Sequence, residues 1–143
     1  MLVGVVLALL AGLALTWAGM DRDRAVYPVV MIVIASYYVL FAVLGNSPQS
    51  QLIESSIFVL FFGMAIAGFR SNLWLVVFAL AMHGALDVVH GLLVDNPGVP
   101  VWWPGFCAAY DLVAAGYLGG LLASGRLRAG ILPKVARRLP PIS

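Results

Sequence analysis

The chain has 143 residues, 63% of them hydrophobic and 10% charged, with a mean hydropathy of +1.04. Soluble domains carry about 25% charged residues, so the composition excludes an ordinary water-soluble enzyme and predicts an integral membrane protein. Its eight Lys and Arg against six Asp and Glu record topology in such a chain rather than nucleic-acid binding. The single cysteine, Cys107, excludes an intrachain disulfide.

Apolar runs of about 20 residues predict five membrane-spanning helices. The first covers 2–20. Met1-Leu2-Val3 has no positively charged start, so this run reads as a helix rather than a cleavable signal peptide. Gly4, Ala8, Gly12 and Thr16 form a stripe of small residues suited to close helix packing. Asp21-Arg22-Asp23-Arg24 ends it, and the second helix covers 26–45, with Pro28 in its first turn and Tyr37 and Tyr38 towards its end. The polar break from Gly45 to Gln51 leads to a third helix over 52–70, which carries Glu54.

After Arg70-Ser71-Asn72, the fourth helix covers 73–94 and contains His83-Gly-Ala-Leu-Asp87-Val-Val-His90. Asp95-Asn96-Pro97-Gly98-Val99-Pro100 breaks it, and Val101-Trp102-Trp103-Pro104 opens the fifth helix over 104–124. The Trp pair fits an interfacial aromatic belt. The fifth helix carries Cys107 and Asp111 on one face, with Gly116 and Gly120 as a second small-residue face. Residues 1–124 thus form one all-α, five-helix transmembrane bundle, and 125–143 form a basic tail.

With five spans, the first and third gaps share a side with the C-terminus. That side holds Arg22, Arg24, Arg70, Arg126, Arg128, Lys134, Arg137 and Arg138, which are all eight cations. The positive-inside rule then predicts an inner-membrane protein with its N-terminus outside and its C-terminus and tail in the cytoplasm.

Three of the six acids, Glu54, Asp87 and Asp111, fall inside the apolar runs. A charge at the centre of a membrane helix costs about 2.5–3.5 kcal/mol on insertion scales, so such residues read as functional by default. At about 100° per residue, His83, Asp87 and His90 lie near 0°, 40° and −20°, on one face. At about 1.5 Å of rise per residue, His90, Asp87 and His83 lie ~6, ~10 and ~16 Å below the outer boundary. Cys107 and Asp111 lie ~5 and ~10 Å deep, while Glu54, ~5 Å in, is within reach of headgroup solvation. Tyr37 and Tyr38 share the Asp87 level and read as packing residues. All these groups converge in the outer half of the bundle.

This set predicts a metal site. Histidine and carboxylate ligands on neighbouring helices are how bundles hold metals, and Cys107 adds affinity for a softer ion. The candidate ligands are His83, Asp87, His90, Glu54, Asp111 and Cys107, with Asp87 and Asp111 as candidate catalytic carboxylates. His83 and His90 are ~10 Å apart along a straight helix, too far to share one ion. One of them therefore ligates and the other supports it through Asp87, or Asp87 bridges two metals. A divalent metal is expected: zinc for hydrolysis, iron or copper for oxygen chemistry. Haem fits poorly, because both histidines lie on one helix.

Two other readings use the same residues. One is a proton relay, which is weakened by an inner half that offers only Met82, Ala79 and Phe78 below His83. The other is a structural hydrogen-bond network in a subunit or assembly factor of a membrane complex. Nucleotide-binding, Cys-x2-Cys, His-Glu-x2-His and Gly-x-Ser-x-Gly motifs are missing from the sequence. The expected partners are membrane lipid and further copies of the chain or a larger membrane complex, with no nucleic acid and no nucleotide.

The combination His83-x3-Asp87-x2-His90, Trp102-Trp103-Pro104 and Cys107-x2-Tyr110-Asp111 resembles patterns in a family of small bacterial multi-pass membrane proteins with no established activity. The resemblance spans helices four and five. The membrane hydrolases that include alkaline ceramidases and progestin/adiponectin-type receptors are similar in residue types alone. They have seven spans and histidines on several helices, so their activity does not carry over. The expectation is an outward-facing metal site that hydrolyses or oxidises a lipid-like substrate.

Overall fold

A computed structural model describes residues 1–130. It contains five α-helices: α1 Leu2–Ala18, α2 Val26–Leu44, α3 Pro48–Arg70, α4 Trp74–Leu93 and α5 Trp103–Ala123. A short 3-10 turn, Met20–Arg22, joins α1 to α2. The described residues contain no β-strand, only an isolated bridge between Asn72 and Gly130. The last residues of the expected tail, 131–143, lie outside the described residues.

Helix boundaries follow local chemistry. Gly19 adopts a left-handed conformation (φ 72°), and its N–H caps the Leu15 and Thr16 carbonyls, ending α1 two residues before the expected boundary. The third helix begins at Pro48 rather than 52. Ser47 caps it by accepting from the Ser50 N–H at 3.3 Å, and Pro48 fills the first turn, where its missing N–H costs nothing.

Four helices, α2 to α5, are long and apolar enough to cross a membrane. The first helix, with 17 residues, reaches about 25 Å, the lower end of a spanning length. The surface also points to a membrane protein. Large apolar side chains such as Trp17 (92% exposed) and Leu92 (87%) face outward, while Glu54, His83, Asp87, His90 and Asp111 are buried. Water-soluble folds have the opposite distribution.

The most extensive packing joins α4 to α5, α2 to α3 and α1 to α5, followed by α3 to α4. The small-residue stripe on α1 does what its pattern predicts: Gly4, Ala8 and Gly12 are its buried residues, and Gly4 faces the α5 backbone near Phe106. One end of the bundle gathers the basic gaps. There Arg24 donates to the Arg128, Ala129 and Gly130 carbonyls at 2.7, 2.7 and 3.1 Å and to the Phe69 carbonyl at 3.0 Å. At the other end, the Ser50 hydroxyl donates to the Asp95 carbonyl at 2.7 Å. Between the basic end and the buried ionisable residues lies an apolar core that includes Met31, Leu73, Val76, Leu80 and Leu118.

Candidate metal centre

The site is built on the α4–α5 seam. Gly84 makes the close approach possible, because a side chain there would press on the Ala108 carbonyl and the Asp111 Cβ, both 3.2 Å from where its Cβ would stand. The neighbouring residue His83 then reaches across. Its Nδ1 lies 2.6 Å from Asp111 Oδ2 and 3.5 Å from Asp87 Oδ2. Asp87, one turn along α4, accepts a hydrogen bond from the Tyr38 hydroxyl at 2.7 Å. Cys107, one turn before Asp111, places its thiol 4.0 Å from Asp111 Oδ2. The Phe61 ring stands edge-on to His83 at 4.9 Å and fixes its plane.

His83, Asp87, Cys107 and Asp111 are all buried, and each offers a ligand atom within 4.8 Å of the others. Such a group could hold a metal ion. The hydrogen bonds within it leave a gap: Asp87 Oδ2 and Asp111 Oδ1 are buried with no hydrogen-bond partner. A buried carboxylate oxygen without a partner carries its full desolvation cost, about 1–3 kcal/mol or more. Charge is also unbalanced. Glu54, Asp87 and Asp111 face two imidazoles, and no Lys or Arg is buried among the described residues. Even with both histidines protonated, the acids outnumber the bases, so a bound proton or a cation must make up the difference.

The structure does not bring all six expected ligands together. Glu54 and His90 form a second network beside the α4–α5 connection. Glu54 Oε1 lies 2.8 Å from His90 Nε2 and accepts from the Asn96 side-chain amide at 3.0 Å. The same amide donates to the Tyr38 carbonyl at 3.1 Å, and Asn96 Oδ1 accepts from the Gly98 N–H at 3.2 Å. The reason for the split is the rise of α4: seven residues carry His90 about 10 Å from His83, to the level of α3 rather than Asp111. The Tyr38 ring closes the space between them, stacking on His90 at 4.1 Å while its hydroxyl serves Asp87.

Three sequence readings change as a result. Glu54 is 1% exposed, so it is held by protein partners rather than solvated by headgroups. Tyr38 is a hydrogen-bond donor to the site rather than a packing residue. Trp103 belongs to an aromatic cluster, with Tyr37 and Phe41 each at 4.9 Å, so of the Trp pair Trp102 alone is exposed. Asn96 was missed because, within Asn-Pro-Gly, it reads as turn punctuation. Its sole sequence signal is an amide side chain in a loop that adjoins two buried acids. No protein-family model, no curated protein and no solved structure matches the chain.

Proposed function

We propose that this protein is a zinc-dependent hydrolase of the inner membrane, acting on an ester-bearing, lipid-like substrate. In this reading the centre lies in the outer half of the bundle, the N-terminus is outside and the C-terminus is cytoplasmic. The observation that carries it is the buried His83, Asp87, Cys107, Asp111 group, with two buried carboxylate oxygens that lack a hydrogen bond. Support for the orientation comes from the gathering of the first gap, the third gap and residues 128–130 around Arg24.

The donor set suits zinc, which takes nitrogen, oxygen and sulfur ligands. Its ligand atoms lie within 4.8 Å of one another, so modest side-chain shifts would bring them to the spacing that zinc requires. Catalytic zinc keeps three protein ligands and an open position. His83, Asp87 and Asp111 are assigned as the three ligands, leaving the fourth position beside Cys107. Zinc held by these ligands would supply Lewis-acid chemistry, the activation of water and the polarisation of a carbonyl. A carboxylate oxygen of Asp87 or Asp111 would take a proton from water as its oxygen adds to the ester carbonyl, and would return that proton to the alkoxide as the C–O bond breaks, releasing an acid and an alcohol. Tyr38 orients Asp87, as hydrogen-bonding partners of metal ligands do.

The test is ester hydrolysis in vesicles containing the zinc-loaded protein. Fatty acid release that disappears in Asp111→Asn supports the reading, and no release from the zinc-loaded wild type refutes hydrolysis. A metal-free relay is the second reading, favoured by the 2.6 Å contact that engages His83 Nδ1 with Asp111. It predicts a wild type that binds no metal under metal-replete conditions.

A further inference from the structure

Helices α1 and α2 are both neighbours of other helices but share no extensive packing with each other, and α2 packs instead on α3 and α4. This leaves a cleft of about 370 Å³ between α1, α2 and α5, within the range of small-molecule sites, about 300–1,000 Å³. Leu7 forms one wall, Val30, Val33 and Tyr37 the second, and Phe106 the third. Cys107 also lines the cleft, and its thiol is 4.0 Å from Asp111. The cleft therefore ends beside the candidate metal centre.

We propose that this cleft takes one hydrocarbon chain of a membrane amphiphile and delivers its oxygen-bearing end to the fourth position of the centre. The inference rests on the proposed function for its last step, not for chain binding. Three observations lead to it. First, the walls are apolar, and an apolar cavity does not hold water, while an empty one forfeits the dispersion contacts of its lining. Second, two of the helices that border the cleft, α2 and α5, are long and apolar enough to span a membrane, and the third, α1, is apolar throughout, so in a bilayer the medium outside its mouth is acyl chain. Third, Trp103 lines the same cleft and its indole N–H is buried without a hydrogen-bond partner. Buried tryptophan N–H groups usually find an acceptor, and an ester or hydroxyl oxygen on the bound chain supplies one. Trp103 precedes Cys107 by one helical turn, about 6 Å, so an oxygen function at this level sits within reach of the centre.

The test is photocrosslinking in vesicles of phosphatidylcholine that carries a diazirine on one acyl chain, with adducts mapped by mass spectrometry in zinc-loaded and zinc-free protein. Adducts on Tyr37, Phe106 and Tyr110 are expected severalfold above those on Leu60 and Phe62 of the exposed α3 face, with or without zinc. Val33→Trp and Leu7→Trp, which fill the cleft from opposite walls, are each expected to remove that excess while leaving the Leu60 and Phe62 adducts unchanged. Equal labelling of both faces in the wild type overturns the proposal. So does spontaneous disulfide dimerisation of Val33→Cys in a Cys107→Ser background, which assigns the cleft to a second copy. Enriched adducts in a protein that binds no zinc uphold chain binding and refute the metal centre, whereas bound zinc without enrichment does the reverse.

Discussion

The α4–α5 seam and the network beneath the α4–α5 connection use the same residue types, yet they are finished differently. In the second network, Glu54 Oε1, His90 and Asn96 bond one another, and Asn96 also ties the connection to α2 through the Tyr38 carbonyl; no side-chain atom of these three residues is both fully buried and without a hydrogen bond. At the seam, Asp87 and Asp111 each keep a buried oxygen without a hydrogen bond. In the proposed reading the contrast separates a structural network from a binding site: bonded buried polar groups specify a fold, whereas buried carboxylate oxygens short of a hydrogen bond suit a bound cation.

Variants sharpen that contrast. The largest effect is expected on stability at the Glu54–His90–Asn96 network. Glu54→Leu leaves His90 without its acceptor and Asn96 with the Tyr38 carbonyl alone, and costs about 3–5 kcal/mol, the range for breaking a buried pair. Thermal unfolding in detergent reads this loss, and zinc content should be unchanged. Next comes Asp111→Asn at the seam, expected to weaken zinc binding by about 100-fold or more, or about 2.7 kcal/mol. Competition with a chelating dye measures it; unchanged affinity would remove Asp111 from the ligand set. Asn96→Ala should cost about 1–3 kcal/mol by leaving Glu54 and the Tyr38 carbonyl short of a donor. Hydrogen exchange should then rise in residues 95–100 without a change in metal content. The smallest effect is expected for Cys107→Ser, about tenfold in zinc affinity, 1.4 kcal/mol, because its thiol stands at the edge of the group. A loss as large as that of Asp111→Asn would make Cys107 a full ligand and close the fourth position.

Much of this organisation can be read from the residues in order. Apolar run lengths locate the five helices, and the helical period puts His83, Asp87 and His90 on one face. The small-residue stripe on α1 identifies its packing face. What the period cannot supply is which neighbour each side chain meets. His83 turns to α5 and His90 to α3 because the Tyr38 ring stands between them, and a tyrosine in an apolar run carries no mark of that role. Asn96 is hidden for the same reason, since its contacts depend on how the connection folds back over α2 and α3. The cleft is invisible in sequence because it arises from helices that do not pack together. The start of α3 is different. Ser47-Pro48 is a capping signal in its own right, and the polar run through Gln51 conceals it only when apolarity alone sets the boundary.

The central claim is that the seam holds a metal, and elemental analysis of protein purified under metal-replete, chelator-free conditions tests it most directly. The account predicts close to one zinc per chain in the wild type, lost in Asp87→Asn and Asp111→Asn and kept in Glu54→Gln. A wild type without bound metal under these conditions would contradict it.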